Sequence, residues 1–67
     1  MVSNLKMKRI QLGLKQKDVA AKAGITAQYL RNLENGKAKN PSVVLMKKIA
    51  TILNSSVEEL FFNEDLI

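Results

Sequence analysis

Apolar residues along the chain recur every three or four positions and nowhere alternate convincingly at period two, which predicts helices and no strands. Leu5, Arg9 and Leu12 share the inner stripe of a first segment, and Ser3 is placed to cap it. Val19, Ala20 and Ala23 form the inward face of a second segment, Gln16 to Ala23. Leu30 and Leu33 anchor a third, opened by Thr26. After Pro41 and Ser42, a longer stripe of Leu45, Met46, Ile49, Ile52 and Leu53 lines a fourth. Ser56-Val57-Glu58-Glu59 has the S-x-x-E form of a capping box, with Leu60 and Phe61 behind it. Gly13, Gly24 and Gly36 stand where segments should end, Gly24 and Gly36 in the left-handed position past a helix. Five helices are predicted, over 3–12, 16–23, 27–35, 43–53 and 57–62, giving an all-α domain spanning 1–67.

Residues 16–35 draw several constraints together. Ala20 is small where a following helix must approach closely. Gly24 supplies a positive φ without steric cost. Ile25 plugs the corner, and Leu30 and Leu33 hold the second helix down. At these spacings they predict a helix-turn-helix of the DNA-binding kind.

The stretch "MKRIQLGLKQKDVAAKAGITAQYLRNLENGKAKNPS" resembles the Cro/cI-type (XRE) helix-turn-helix domain of lambdoid phage repressors and small bacterial regulators. "LMKKIATILNSSVEELF" is similar to the last two helices of that domain. The resemblance covers residues 4–61. It implies a compact, lambda-repressor-like five-helix domain that binds operator DNA as a dimer and regulates transcription. Two positions depart from the pattern. Lys15 replaces the usual Thr, Ser or Asn cap of the second helix, and Ser55 replaces a core aliphatic.

With Leu30 and Leu33 turned inward, a 100° advance per residue points Gln28, Arg31, Asn32 and Asn35 outward and leaves Ala27, Tyr29 and Glu34 on the flanks. The start of such a helix enters the major groove, where Gln and Asn amides bond adenine and Arg bonds guanine, each bidentately. Gln28 and Asn32 are the expected base readers. Arg31 is open between a base contact, a phosphate contact and plain solvation. The resemblance adds Ala27 as a contact to a thymine methyl. Thr26 is expected chiefly as a cap, with a DNA contact as its second role. Phosphate anchoring is expected from Gln16 and Lys17 at the second helix N-terminus and from Lys37, Lys39 and Asn40 in the following loop. Tyr29 is open between a phosphate bond and a packing ring. Arg9 and Glu34 occupy positions that commonly pair in the resembling family, which implies a structural ion pair.

Charge sharpens this picture. Residues 1–48 hold all eleven Lys and Arg against Asp18 and Glu34, a local net of +9; residues 49–67 hold Glu58, Glu59, Glu64 and Asp65 and no base, a net of −4. A basic body with an acidic end predicts a polyanionic partner on one side. Phe61, Phe62, Leu66 and Ile67 exceed what one short helix can hide, so this end is the expected homodimer interface, turned away from DNA. An antitoxin or adaptor that docks a partner protein and binds DNA secondarily is the alternative. An enzyme is not expected: the chain has no His or Cys, six carboxylates, no phosphate loop and no metal-ligand cluster. No cofactor is implied. No apolar run approaches the roughly 20 residues of a membrane span, and the N-terminus lacks the apolar stretch of a signal peptide. A cytoplasmic regulator is expected.

Overall fold

Five short helices order residues 4–38 and 40–62, the part of the chain described by this computed structural model: α1 (Asn4–Gln11), α2 (Gln16–Ala23), α3 (Ala27–Glu34), α4 (Val43–Ile52) and α5 (Glu58–Phe62). The last is a single turn of the wider π type. No strand occurs among the described residues, and none of their helices is long and apolar enough to cross a membrane.

Every helix sends side chains to one core. Leu5 comes from α1, Val19, Ala20 and Ala23 from α2, Leu30 and Leu33 from α3, Ile49 and Ala50 from α4, and Leu60 from α5. Leu53 closes the cluster just past α4. Burying a residue such as Leu30 or Ile49 stabilises the fold by about 1.5–3 kcal/mol. The alanines of α2 let α3 and α4 approach it closely.

Four helices stop in the same way. Gly13 and Leu14 donate their N–H groups back to Ile10 and Arg9 carbonyls at 2.9 and 3.1 Å. Gly24 and Ile25 repeat this onto Ala21 and Ala20, Gly36 and Lys37 onto Leu33 and Asn32, and Asn54 and Ser55 onto Thr51 and Ala50. This paired arrangement needs a left-handed residue, which the four turns supply with Gly13, Gly24, Gly36 and Asn54 at φ +72°, +75°, +78° and +52°.

The first of these turns corrects the inner stripe of α1. Leu12 lies beyond the last helical residue and is 43 % exposed, because the turn at Gly13 redirects the chain. Leu14 packs against the core in its place.

Helix starts differ more. Thr26 Oγ1 accepts the Tyr29 N–H at 3.0 Å and Ser42 Oγ accepts the Leu45 N–H at 3.1 Å. Ser56 and Glu59 form a reciprocal box: Ser56 Oγ accepts the Glu59 N–H at 3.1 Å, and Glu59 Oε1 accepts the Ser56 N–H at 3.0 Å. Lys15 makes no side-chain cap, so α2 begins without one. Ser55 satisfies its own hydroxyl by donating to the Leu53 carbonyl at 3.1 Å. The expected cap Ser3 lies outside the described residues.

Candidate nucleic-acid interface

Helix α3 is fixed from beneath by Leu30, wholly buried, and Leu33, while Ile25 fills the corner between α2 and α3. Its far end is held by a polar cluster. The Glu34 carboxylate accepts Arg9 Nε at 2.6 Å, Arg9 Nη2 at 3.2 Å and Gln16 Nε2 at 2.9 Å. Arg9 Nη1 donates to the Leu14 carbonyl at 2.8 Å. Arg9 is 8 % exposed and Glu34 3 %, so this is a buried pair in which every nitrogen and oxygen of the two charged groups has a partner, supplied by the pair itself, Gln16 of α2 or Leu14 of the first turn. Glu34, on the flank of α3 nearest the core, is thus buried against Arg9. No side-chain polar atom buried among the described residues lacks a partner.

The opposite edge of α3 is open. Gln28, Arg31 and Asn35 are exposed and Asn32 is half-buried. Gln28 Nε2 donates to Asn32 Oδ1 at 3.1 Å, so two amides one helical turn apart form a single polar unit. That bond leaves the Gln28 carbonyl oxygen as a further acceptor and the Asn32 NH₂ as a further donor, the two kinds of group that complement an adenine edge. Ala27 and Tyr29 are half-buried and pack against the core, one on each side of this edge. Thr26 is exposed with its hydroxyl engaged as the cap.

The expected phosphate-anchoring groups come from the start of α2 and from the α3–α4 loop, where Asn40 also lines a groove with Phe61 and Phe62. Lys17 is exposed at the uncapped start of α2; Gln16 beside it is half-buried, with one N–H committed to Glu34 and its other amide atoms left over. Lys37 and Asn40 are exposed in the loop between α3 and α4, Asn40 at φ +59°. Lys39 lies outside the described residues.

At the C-terminal end Phe61 is half-buried against the core and Phe62 is 61 % exposed. Both line an apolar groove of about 420 Å³ shared with Leu5, Leu33, Ala38 and Met46. Leu66 and Ile67 lie outside the described residues. The Glu59 carboxyl is held below its ordinary value by hydrogen bonds from the Ser56 backbone and hydroxyl, with the Lys8 charge adding to the effect.

Some of this geometry has no signal in the local sequence. The Gln16–Glu34 bond joins residues 18 apart in the chain, and nothing local marks Gln16 as a partner for a buried acid. The groove likewise assembles α1, α3, the α3–α4 loop, α4 and α5. Ser42 as a cap did carry a signal, a Ser directly before an apolar-periodic run.

A family profile described as helix-turn-helix matches residues 5–60. An HTH-type transcriptional regulator of Archaeoglobus fulgidus is 39% identical over 57 residues, covering 85% of this chain and 80% of that protein. The restriction-modification controller protein C.AhdI from Aeromonas hydrophila superposes with a TM-score of 0.77 at 34% identity, covering 87% of this chain and 86% of that one. The N-terminal DNA binding domain of SinR from Bacillus subtilis superposes with a TM-score of 0.79 at 29% identity, covering 92% and 90%.

Proposed function

The chain belongs to the helix-turn-helix family of DNA-binding transcription regulators, a non-enzymatic class, and we propose that it acts in the cytoplasm as a repressor that binds a pseudo-palindromic operator as a homodimer. The observation that carries this reading is the open edge of α3. Gln28 and Asn32 keep spare amide groups on a helix anchored by the core and by the Glu34 cluster. Anchoring matters because a base edge rewards a donor and an acceptor most when both are already placed.

In this reading Gln28 and Asn32 read bases, Arg31 extends the contact and Ala27 meets a thymine methyl. Lys17, Gln16, Lys37, Lys39, Asn40 and Tyr29 grip phosphates on either side, and Thr26 stands at the groove entrance. The body measures 35 × 25 × 20 Å, so one copy fits each half-site when two are centred about 34–36 Å apart. The dimer contact is assigned to Phe61, Phe62, Leu66 and Ile67, supported by the exposed Phe62 ring beside the apolar groove. Repression follows from occupancy of promoter DNA.

Selection of bound duplexes from random DNA, at two salt concentrations, tests the reading. A palindromic motif with half-sites one turn apart is the expected result. Equal retention of every sequence, or a single unpaired half-site, would overturn the operator-dimer reading.

A further inference from the structure

We propose that Asn35 is a site of spontaneous covalent conversion to aspartate and isoaspartate, placed where the change acts on DNA binding. The chain has six asparagines, followed respectively by Leu5, Leu33, Gly36, Pro41, Ser55 and Glu64. The reaction requires the following backbone nitrogen to reach the asparagine side-chain carbon. A side chain on the next residue crowds that approach, and proline has no N–H to lose. Asn35 alone is followed by glycine.

The local structure leaves the site accessible. Asn35 and Gly36 are both exposed, and a methyl placed on Gly36 would meet nothing within 4 Å. The Gly36 N–H is held only by a bond of 3.3 Å to the Leu33 carbonyl, longer than its neighbours from Asn35 at 2.9 Å and Lys37 at 2.8 Å. Asn35 sits at ψ 0°, so its carbonyl must swing for the attack. Opening this one weak bond at the end of α3 permits that rotation without unfolding the helix.

The chemistry closes without an oxidant or reductant. The Gly36 nitrogen loses its proton and attacks Cγ of Asn35, forming a nitrogen–carbon bond. The bond from Cγ to the amide nitrogen breaks, and ammonia leaves with the proton. Water then opens the cyclic imide at either carbonyl, giving aspartate or, with the main chain rerouted through the side chain, isoaspartate. Each product adds one negative charge on the α3 edge beside Lys37.

The consequence for binding rests on the DNA-facing reading of α3. A carboxylate there opposes the phosphates and cancels about one cationic contact, so affinity for duplex DNA falls about tenfold at low salt and the salt slope drops by about one unit.

The test ages the purified chain in mildly alkaline buffer, with and without random-sequence duplex DNA, and maps the products by peptide mass spectrometry. A gain of one dalton confined to the peptide holding Asn35, absent from Asn35→Gln and slowed by duplex, is the expected result. Fresh Asn35→Asp should bind duplex about tenfold more weakly than the unaged chain. Conversion that persists unchanged in Asn35→Gln, or none at all, overturns the site itself. Conversion that duplex fails to slow, with Asn35→Asp binding normally, overturns its link to DNA. Should no duplex be bound at all while Asn35 converts, the regulator reading fails and the covalent site stands.

Discussion

Near its C-terminus α3 buries Glu34 with three hydrogen bonds onto two oxygens, whereas along its outer edge Gln28 and Asn32 share one bond between two amides. Both groups are polar and both lie within one eight-residue helix. Glu34 is buried with its three donors, out of reach of another molecule; the amide pair keeps a donor and an acceptor in reserve. Polarity alone therefore does not mark a recognition surface. In the operator reading, what sets the outer edge apart is unused hydrogen-bonding capacity on a helix anchored by buried side chains.

The comparison breaks most visibly at the buried end. Arg9→Met leaves Glu34 without its charge partner in the interior, which should cost about 3–5 kcal/mol. A chain this short has about 3–10 kcal/mol in total, so urea denaturation should find the variant largely unfolded. Arg9→Met combined with Glu34→Leu should recover most of the loss, since an apolar pair needs no compensation. If the single variant melts like the parent, the cluster is not what holds α3.

At the outer edge the effect should move from folding to binding. Gln28→Ala or Asn32→Ala should weaken operator binding by about 1–3 kcal/mol and relax preference at one base position, with the denaturation midpoint unchanged. A loss spread evenly over all DNA sequences would assign these amides to the phosphates instead.

Helix starts offer a smaller and cleaner contrast. Thr26→Ala removes the cap from α3 and should cost about 1 kcal/mol. Lys15→Ser supplies the cap that α2 lacks and should return about 0.5–1 kcal/mol. Thermal melts of the two variants should shift in opposite directions.

The smallest effect concerns α5. Glu59 is a third kind of polar group, exposed yet locally satisfied through Ser56, and its carboxyl titrates below its ordinary value. Its contribution is complete above the unfolded carboxylate value and is lost as pH falls through the lowered folded one. Amide exchange at Glu59 and Leu60 should thus accelerate only in distinctly acid buffer. Glu59→Gln, which keeps the reciprocal box without a charge, should abolish that pH dependence.

These contrasts also explain what the sequence made legible. Helix spans and core membership follow from the 3.6-residue period, a local property, and Val19, Ala20, Leu30 and Ile49 are buried accordingly. The outward edge of α3 was legible because only Leu30 and Leu33 define its inner stripe. Leu12 misled because periodicity extends a helix past its true end, and only the paired backbone bonds at Gly13 stop it. The Gln16 bond to Glu34 and the Phe62 groove were not legible, since both depend on how distant segments meet.

The recurring turn that ends four of the helices bears on evolvability. Each stop is enforced by the chain's own backbone within six residues, independently of what packs nearby. Residues along the outer edge of α3 can therefore be exchanged freely without the rod growing longer or the lysine-bearing loop changing its angle of departure. If that edge reads operator DNA as proposed, one scaffold of this kind can be retargeted to new DNA words by a few substitutions, provided Gly36 is left alone.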